Sequence, residues 1–310
     1  MPIARNLLLA LSRSTRLRDS MIHVRPARAV ARRFVAGETL SEAIAAVQIL
    51  NRQGLLASLD HLGESVTDQA GARDDTAEIL DLLDAIQAGD VRSGASVKLT
   101  QLGLSLSPAL AADNLERIVA HAAEVGRFVR IDMENSEYVQ PTLDLFEALW
   151  ARHKNVGVVI QAYLYRSAKD VARLIRLGAS VRLVKGAYNE PSAVAYPLKA
   201  DTDANYLRLT EQLLSPAARA SGVFPAIATH DTRLIDWTAD YARQQGIPPD
   251  RFEFQMLHGI RPTLQRRLAA AGYRVRIYTP YGRQWYPYLM RRLAERPANL
   301  FFLMRSLFRR

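Results

Sequence analysis

Val156-Gly157-Val158-Val159-Ile160-Gln161-Ala162-Tyr163 is followed, after a helical pattern over Ala168–Leu177, by Val181-Arg182-Leu183-Val184-Lys185-Gly186-Ala187-Tyr188. Two short apolar runs rich in β-branched residues, joined by a helical stretch, read as strand, helix, strand. A crossover of that length pairs its strands in parallel and is right-handed. The same unit recurs outward in both directions. Strand-like runs occupy Leu55–Leu62, Ser96–Thr100, Phe128–Glu134, Phe224–Asp231, Phe252–Leu257 and Arg274–Tyr281. Helical patterns fill Asp113–Ala123, Thr142–Arg152, Asp203–Leu214 and Thr232–Gln245. Eight strands alternating with helices over about 250 residues is the count of an α/β protein of the (β/α)8 barrel class. A doubly wound sheet would alternate too, but no glycine-rich phosphate loop follows the first strand.

Around this repeat the chain divides into an N-terminal helical arm (1–50), the barrel (51–300) and a basic, apolar tail (301–310). Gly37-Glu38-Thr39-Leu40-Ser41-Glu42 marks a helix start in the arm. A C-terminal helix over the barrel mouth is expected to follow the eighth strand. The connections 65–95 and 189–223 are long enough for an extra helix each. With 310 residues, 49% of them hydrophobic, the chain suits one large domain.

Cysteine is absent, which excludes disulfides, thiolate metal sites and cysteine nucleophiles. That fits a reducing, cytoplasmic compartment. No apolar run reaches the ~18 residues of a spanning helix. The net charge is +10, and only five of the 41 basic residues are lysines. The charge gathers at the two ends, where a basic apolar helix either docks on its own domain or lies on the inner face of the plasma membrane. No nucleic-acid motif accompanies it. His61, His230 and His258 stand singly, so no metal site is expected.

Barrel chemistry sits at the C-terminal ends of the strands, and there this sequence places its unusual polar residues. The strand regions carry, in order, Asp60-His61-Leu62-Gly63-Glu64; Lys98 inside a five-residue strand; Asp132-Met133-Glu134; Gln161; Arg182 with Lys185-Gly186-Ala187-Tyr188; Thr229-His230-Asp231; Glu253 with Gln255; and Arg276 with Tyr278. Each has a plain structural reading. Lys98 can pair with Asp132, Arg182 can be a buried ion-pair partner, and His230 can be a satisfied core histidine. Burying so many charges without function is costly, however. Beyond the eighth strand, Arg291-Arg292-Leu293-Ala294-Glu295 reads as one helical turn that can hold both ends of a free amino acid. Two chemistries remain open on these residues. Lys98 or Lys185 could form the Schiff base of a barrel lyase or aldolase. Alternatively, Lys185-Gly186-Ala187 could let the backbone approach a flavin, with a cation near its ring. An adaptor working through its basic ends is a third, non-enzymatic reading.

The ordered set of motifs resembles one family, the flavin-dependent proline dehydrogenases in their compact single-function bacterial form. The matching stretches are Ser96–Leu99, Ile131–Glu134, Val159–Tyr163, Val181–Tyr188, Ala228–Asp231, Phe252–Leu257, Tyr278–Gly282 and Arg291–Glu295. The resemblance implies FAD as cofactor, L-proline as substrate and Δ1-pyrroline-5-carboxylate as product. It also implies hydride transfer to flavin N5, a membrane quinone as electron acceptor, and a separate pyrroline-5-carboxylate dehydrogenase for the next step.

By matching position, Arg291, Arg292 and Lys98 would bind the proline carboxylate and Glu295 would lie near its amine. Leu257 and Tyr278 would wall the ring, and Tyr278 would crowd out a ring hydroxyl. Asp132 would orient Lys98, and Arg182 would sit near N5 on the face opposite substrate. Met133, Gln161, Lys185, Gly186, Ala187, Tyr188, Thr229, His230 and Gln255 would contact the cofactor. Glu64 would pair with Arg291 as a gate. The stretch between Tyr278 and Arg291 departs from the bifunctional members in being shorter and carrying extra aromatics.

Overall fold

The computed structural model describes residues 31–63 and 66–295, except for the side chains of residues 291–295. Helix α1 (Leu40–Arg52) starts where the sequence marks it. Thr39 caps it in a reciprocal box with Glu42, which satisfies amides that the first turn leaves bare. Its Ala43, Val47 and Leu50, spaced to share one face, are buried.

Eight parallel strands then close into a barrel in sequence order: β1 (Leu56–His61), β2 (Ser93–Val97), β3 (Val129–Ile131), β4 (Val156–Gln161), β5 (Ser180–Val184), β6 (Phe224–Ala228), β7 (Glu253–Leu257) and β8 (Arg274–Tyr281). The crossover helices are α2 (Gln69–Ala88), α3 (Pro108–Glu124), α4 (Val139–Trp150), α5 (Ser167–Arg176), α6 (Lys199–Leu214) with the short α7 (Pro216–Ala220), α8 (Thr232–Gln244) and α9 (Pro262–Ala270). Helix α10 (Trp285–Glu295) leaves from the C-terminal end of β8. This is the barrel that the strand–helix alternation predicts.

Two local expectations need correction. The second strand begins at Ser93 and ends at Val97, so Lys98 follows the strand instead of lying inside it. The cause is packing. The Phe128 carbonyl accepts the Ala95 amide at 3.0 Å, and a Cβ on Gly94 would run into that same oxygen. The strand therefore needs a glycine at Gly94, and Ser93-Gly94-Ala95 carries little β signal of its own. Among the described residues, the connection 65–95 holds only its ordinary crossover helix, α2, whereas 189–223 does hold an extra one, α7. Helix α9 starts after Arg261 in a left-handed conformation (φ 51°).

Apolar side chains fill the space between strands and helices; Leu59, Ile131, Val158, Leu183, Phe254 and Ile277 are all buried there. Along six strands the polar residues sit at alternate positions: Ser58 and Asp60, Ser96 and Lys98, Arg130 and Asp132, Ser180 and Arg182, Glu253 and Gln255, Arg276 and Tyr278. Side chains two apart on a strand share a face. That shared face is the inside of the barrel, because these residues bond across it to strands that are not neighbours. Arg182 on β5 reaches Gln255 on β7 at 3.4 Å, and Tyr278 on β8 reaches Asp132, just beyond β3, at 2.8 Å. The barrel interior thus has a polar floor and, one layer higher at the mouth, a second polar set.

Candidate active site

The floor holds a buried arginine, Arg130, and a half-buried one, Arg276, in different ways. Arg276 forks onto Glu253, with Nε–Oε1 at 2.8 Å and NH2–Oε2 at 3.1 Å, and donates to the Ala57 carbonyl at 2.8 Å. Burial alone would raise the Glu253 pKa; Arg276 outweighs it and holds the carboxyl below its usual range. Arg130 has carbonyl and hydroxyl partners instead: the Ser180 and Val158 carbonyls at 2.8 and 3.1 Å, and Ser180 Oγ at 2.9 Å. Neither arginine lies at the mouth, and both read as structural.

Gln255 joins floor to mouth. Its Nε2 donates to Glu253 at 2.5 Å, which leaves its Oε1 to accept from Arg182 NH1 at 3.4 Å. Gln255, expected as a cofactor contact, is buried and engaged by these two partners.

Above it lies the mouth cluster. Asp132, buried, takes Arg182 NH2 on Oδ1 and both the Tyr278 hydroxyl (2.8 Å) and Lys98 Nζ (3.3 Å) on Oδ2. The expected Asp132–Lys98 pair is present, but a closer carboxylate exists. Lys98 Nζ lies 2.7 Å from Asp60 Oδ1, and it also donates to the Tyr278 hydroxyl at 3.1 Å. Two carboxylates thus meet two cations, which keeps the cluster close to neutral. Burial pushes the Asp60 pKa up, while Arg182 and Lys98 together overcome burial at Asp132 and hold it down. For Lys98, burial works against the charged form, but Asp60 and then Asp132 more than reverse it and raise the pKa. A Schiff-base lysine must be neutral to attack, so Lys98 is poorly suited to that chemistry. Lys185 donates to Asp203 at 2.5 Å and Asp231 at 3.1 Å, the reverse of the apolar setting that frees a lysine amine.

Arg182 Nε is buried with no partner among the described residues. An orphaned donor of this kind calls for an acceptor from outside the chain.

The other expected residues fall around this cluster. Met133 and Gln161 are buried at the ends of β3 and β4, and Gln161 Nε2 donates to the Glu134 carbonyl at 2.8 Å. Gly186 has a positive φ of 113°, and its bare Cα accommodates the ring of Tyr163, where a Cβ would collide. The close neighbour it was expected to admit is, within the chain, Tyr163. Ala187 and Tyr188 are exposed on the loop after β5. Thr229 Oγ1 accepts the Asp231 amide at 3.1 Å, and His230 Nε2 accepts the Leu257 amide at 2.9 Å. That gives His230 a structural bond tying the end of β6 to β7. Leu257 and Tyr278 are half-buried, and their strand positions are in register.

Glu64 lies outside the described residues. Arg291, Arg292 and Glu295 lie on α10, but their side chains also lie outside the description. The helix that carries them is anchored at its start. Trp285, 1% exposed, donates Nε1 to Glu38 at 3.2 Å, and the Gly282 amide donates to the Gly37 carbonyl at 2.9 Å. The extra aromatics ahead of Arg291 are therefore packing residues: Trp285, Tyr286 and Tyr288 are all buried. Among the described residues there is no His, Cys, Asp and Glu grouping fit for a metal, and no helix long and apolar enough to cross a membrane.

Asp60 and Glu253 were named in the sequence among the polar strand residues but given no role, and the Glu253–Gln255 link was not foreseen. The alternate-position spacing that places them one layer below or beside Asp132 and Arg182 is the signal that could have found them.

A closed parallel barrel with paired carboxylates and cations at its mouth defines a barrel enzyme acting on a small charged substrate. A family model described as proline dehydrogenase matches residues 43–305, and the chain belongs to that family. It is 44% identical over 283 residues to the proline dehydrogenase of Deinococcus radiodurans, covering 90% of each chain. It is also 43% identical over 281 residues to proline dehydrogenase 1 of Bacillus subtilis, covering 90% of this chain and 91% of that one. Among solved structures it is similar to proline utilization A from Bdellovibrio bacteriovorus inactivated by N-propargylglycine, with 28% identity and a TM-score of 0.81. That match covers 87% of this chain and 33% of the other, so the chain spans about a third of its length. The protein is accordingly an oxidoreductase that oxidises proline in proline catabolism. The family is one of flavoenzymes.

Proposed function

We propose that the chain binds FAD at the barrel mouth and oxidises L-proline to Δ1-pyrroline-5-carboxylate. The observation that carries this reading is the mouth cluster, with Lys98 and Arg182 set on different oxygens of Asp132. The residues fit a flavin. Arg182 Nε is buried and has no partner among the described residues, which suits a ring nitrogen or oxygen. Gln161, Lys185 and the backbone at Gly186 and Ala187 would hold the ring system with Met133 and Tyr188, and Thr229 and His230 would support the rest of the cofactor. When bound, FAD supplies the two-electron acceptor, taking a hydride at N5 from the ring carbon next to nitrogen.

The chain's own residues bind and orient the substrate. Arg291, Arg292 and Lys98 would take the carboxylate; the planar fork of an arginine meets it with two parallel hydrogen bonds. Glu295 would stand near the amine, one turn along the same helix face. Proline leaves as a cyclic imine, so the amine gives up a proton as the ring carbon gives up hydride. Leu257 and Tyr278 would close over the ring, and crowding at Tyr278 would disfavour hydroxyproline. Glu64 would pair with Arg291 when the site is empty.

The electrons would pass to a membrane quinone, and a separate pyrroline-5-carboxylate dehydrogenase would take the product. The protein would act in the cytoplasm or against the inner face of the plasma membrane, as a 51–300 barrel flanked by a 1–50 arm and a 301–310 tail. Proline-dependent reduction of a soluble ubiquinone analogue by the FAD-loaded protein, with chemical trapping of the cyclic imine, tests the reading. Absence of the imine despite bound FAD would refute the substrate.

A further inference from the structure

Lys98 carries three ammonium hydrogens, and the described residues present three acceptors to it: Asp60 Oδ1 at 2.7 Å, the Tyr278 hydroxyl at 3.1 Å and Asp132 Oδ2 at 3.3 Å. A substrate carboxylate can be served only if one of these is released. Asp132 does not depend on Lys98, because Arg182 holds its Oδ1 and the Tyr278 hydroxyl donates to its Oδ2. Tyr278 keeps that donation whether or not Lys98 points at it. Asp60 is different. It is 1% exposed, and Lys98 is its only ion-pair partner among the described residues. Releasing Lys98 would leave a buried carboxylate without a cation. The strand register explains why the two stay together: Asp60 is paired with Ser96, and Lys98 is two residues farther along the same face.

We propose that Asp60 is a positioning residue for the substrate carboxylate, anchoring the Lys98 ammonium through its closest contact so that Lys98 turns one hydrogen to the substrate without losing its place or its charge. The inference rests on the reading of Lys98 as a carboxylate contact. The groups acting on Lys98 are Asp60 from β1, Asp132 after β3, Tyr278 from β8 and Tyr188 from the loop after β5; Arg182 from β5 and Glu134 act through Asp132 or at longer range. Burial opposes the ammonium, and Asp60 is the largest influence restoring it. Without Asp60, burial is opposed chiefly by Asp132, which Arg182 already claims. Lys98 then loses its proton as pH rises.

The test is the affinity of tetrahydrofuran-2-carboxylate, a ring carboxylate with oxygen in place of the amine, measured by calorimetry on the flavin-loaded protein from about pH 7 to about pH 9.5. In Asp60→Asn the affinity falls as pH rises through that range more steeply than in the native chain, because burial then acts on Lys98 without the largest influence that keeps its charge. Adding Lys98→Arg to Asp60→Asn removes the extra pH dependence, because arginine stays charged. An Asp60→Asn variant that tracks the native chain throughout would overturn the role of Asp60. Failure of the native chain itself to bind the carboxylate would remove the carboxylate reading and the inference with it.

If Asp60→Asn does not fold, the native protein gives the answer. Its five lysines allow each side-chain signal to be followed by NMR, with Lys98→Met to assign Lys98. Lys98 should keep its proton above the ordinary lysine pKa of about 10.4, and titration at or below that value would overturn the proposal.

Discussion

Asp132 is the residue on which both cations of the mouth cluster converge, and replacing it with alanine isolates the effect. Asp132→Ala leaves Arg182 with only the 3.4 Å contact to Gln255 from a side-chain acceptor, and leaves Lys98 with Asp60 and Tyr278. Both Asp132 and Arg182 are at least nine-tenths buried. Breaking a buried pair from one side costs about 3–5 kcal/mol, because the remaining charge stays out of water. Gln255 still satisfies part of Arg182, so the lower end applies, about 3 kcal/mol. At roughly 2 °C per kcal/mol for a chain of this size, the melting temperature near neutral pH should drop by about 6 °C. The sign with pH also follows. The folded Asp132 pKa is depressed, so its contribution is complete above the usual carboxylate pKa and is lost as pH falls through the folded value. The gap between native and variant should therefore narrow below about pH 4. Thermal unfolding followed by circular dichroism at both pH values checks this. Equal melting temperatures at neutral pH, or a gap that widens in acid, would refute the assignment of Asp132 as the centre of the cluster.

Glu253→Gln removes the counter-charge beneath Arg276 and should cost about 3 kcal/mol in denaturant unfolding, since Arg276 keeps the Ala57 carbonyl and one amide oxygen but no carboxylate among the described residues. A loss under about 0.5 kcal/mol would show that the floor pair is not structural. Gly186→Ala meets both a positive φ and the Tyr163 ring, so it should lower stability by about 1–3 kcal/mol and reduce the flavin retained on purification. Unchanged flavin content would separate this turn from the cofactor site. Thr39→Ala removes the cap of α1 and should cost about 1 kcal/mol, leaving proline turnover intact. Arg292→Lys should raise KM strongly with flavin still bound, because an ammonium cannot reproduce the bidentate fork; unchanged proline kinetics would overturn its place in the clamp.

The barrel was legible because its buried strands concentrate β-branched residues and end on polar ones, a contrast that survives without any tertiary information. Thr39 and Glu42 likewise announce a helix start through local chemistry alone. The start of β2 was not legible. Its Gly94 admits the Phe128 carbonyl, and that requirement belongs to the neighbouring strand. Lys98, Asp132 and Arg182 stood out as charges in apolar runs, and the structure brings all three together. Asp60 stood equally close to the eye but shared a five-residue stretch with His61 and Glu64. Only the register with β2 shows that it, and not its neighbours, reaches Lys98. The two partners of Gln255 were not legible either: its amide atoms reach Glu253 on its own strand and Arg182 on a strand two places away, links that only the closed barrel sets.

The central claim, that this mouth oxidises proline through a bound flavin, is tested most directly by the visible absorption spectrum of the purified protein before and after anaerobic addition of L-proline. The account predicts a flavin spectrum that bleaches when proline is added. A flavin spectrum that stays oxidised in the presence of proline would contradict it.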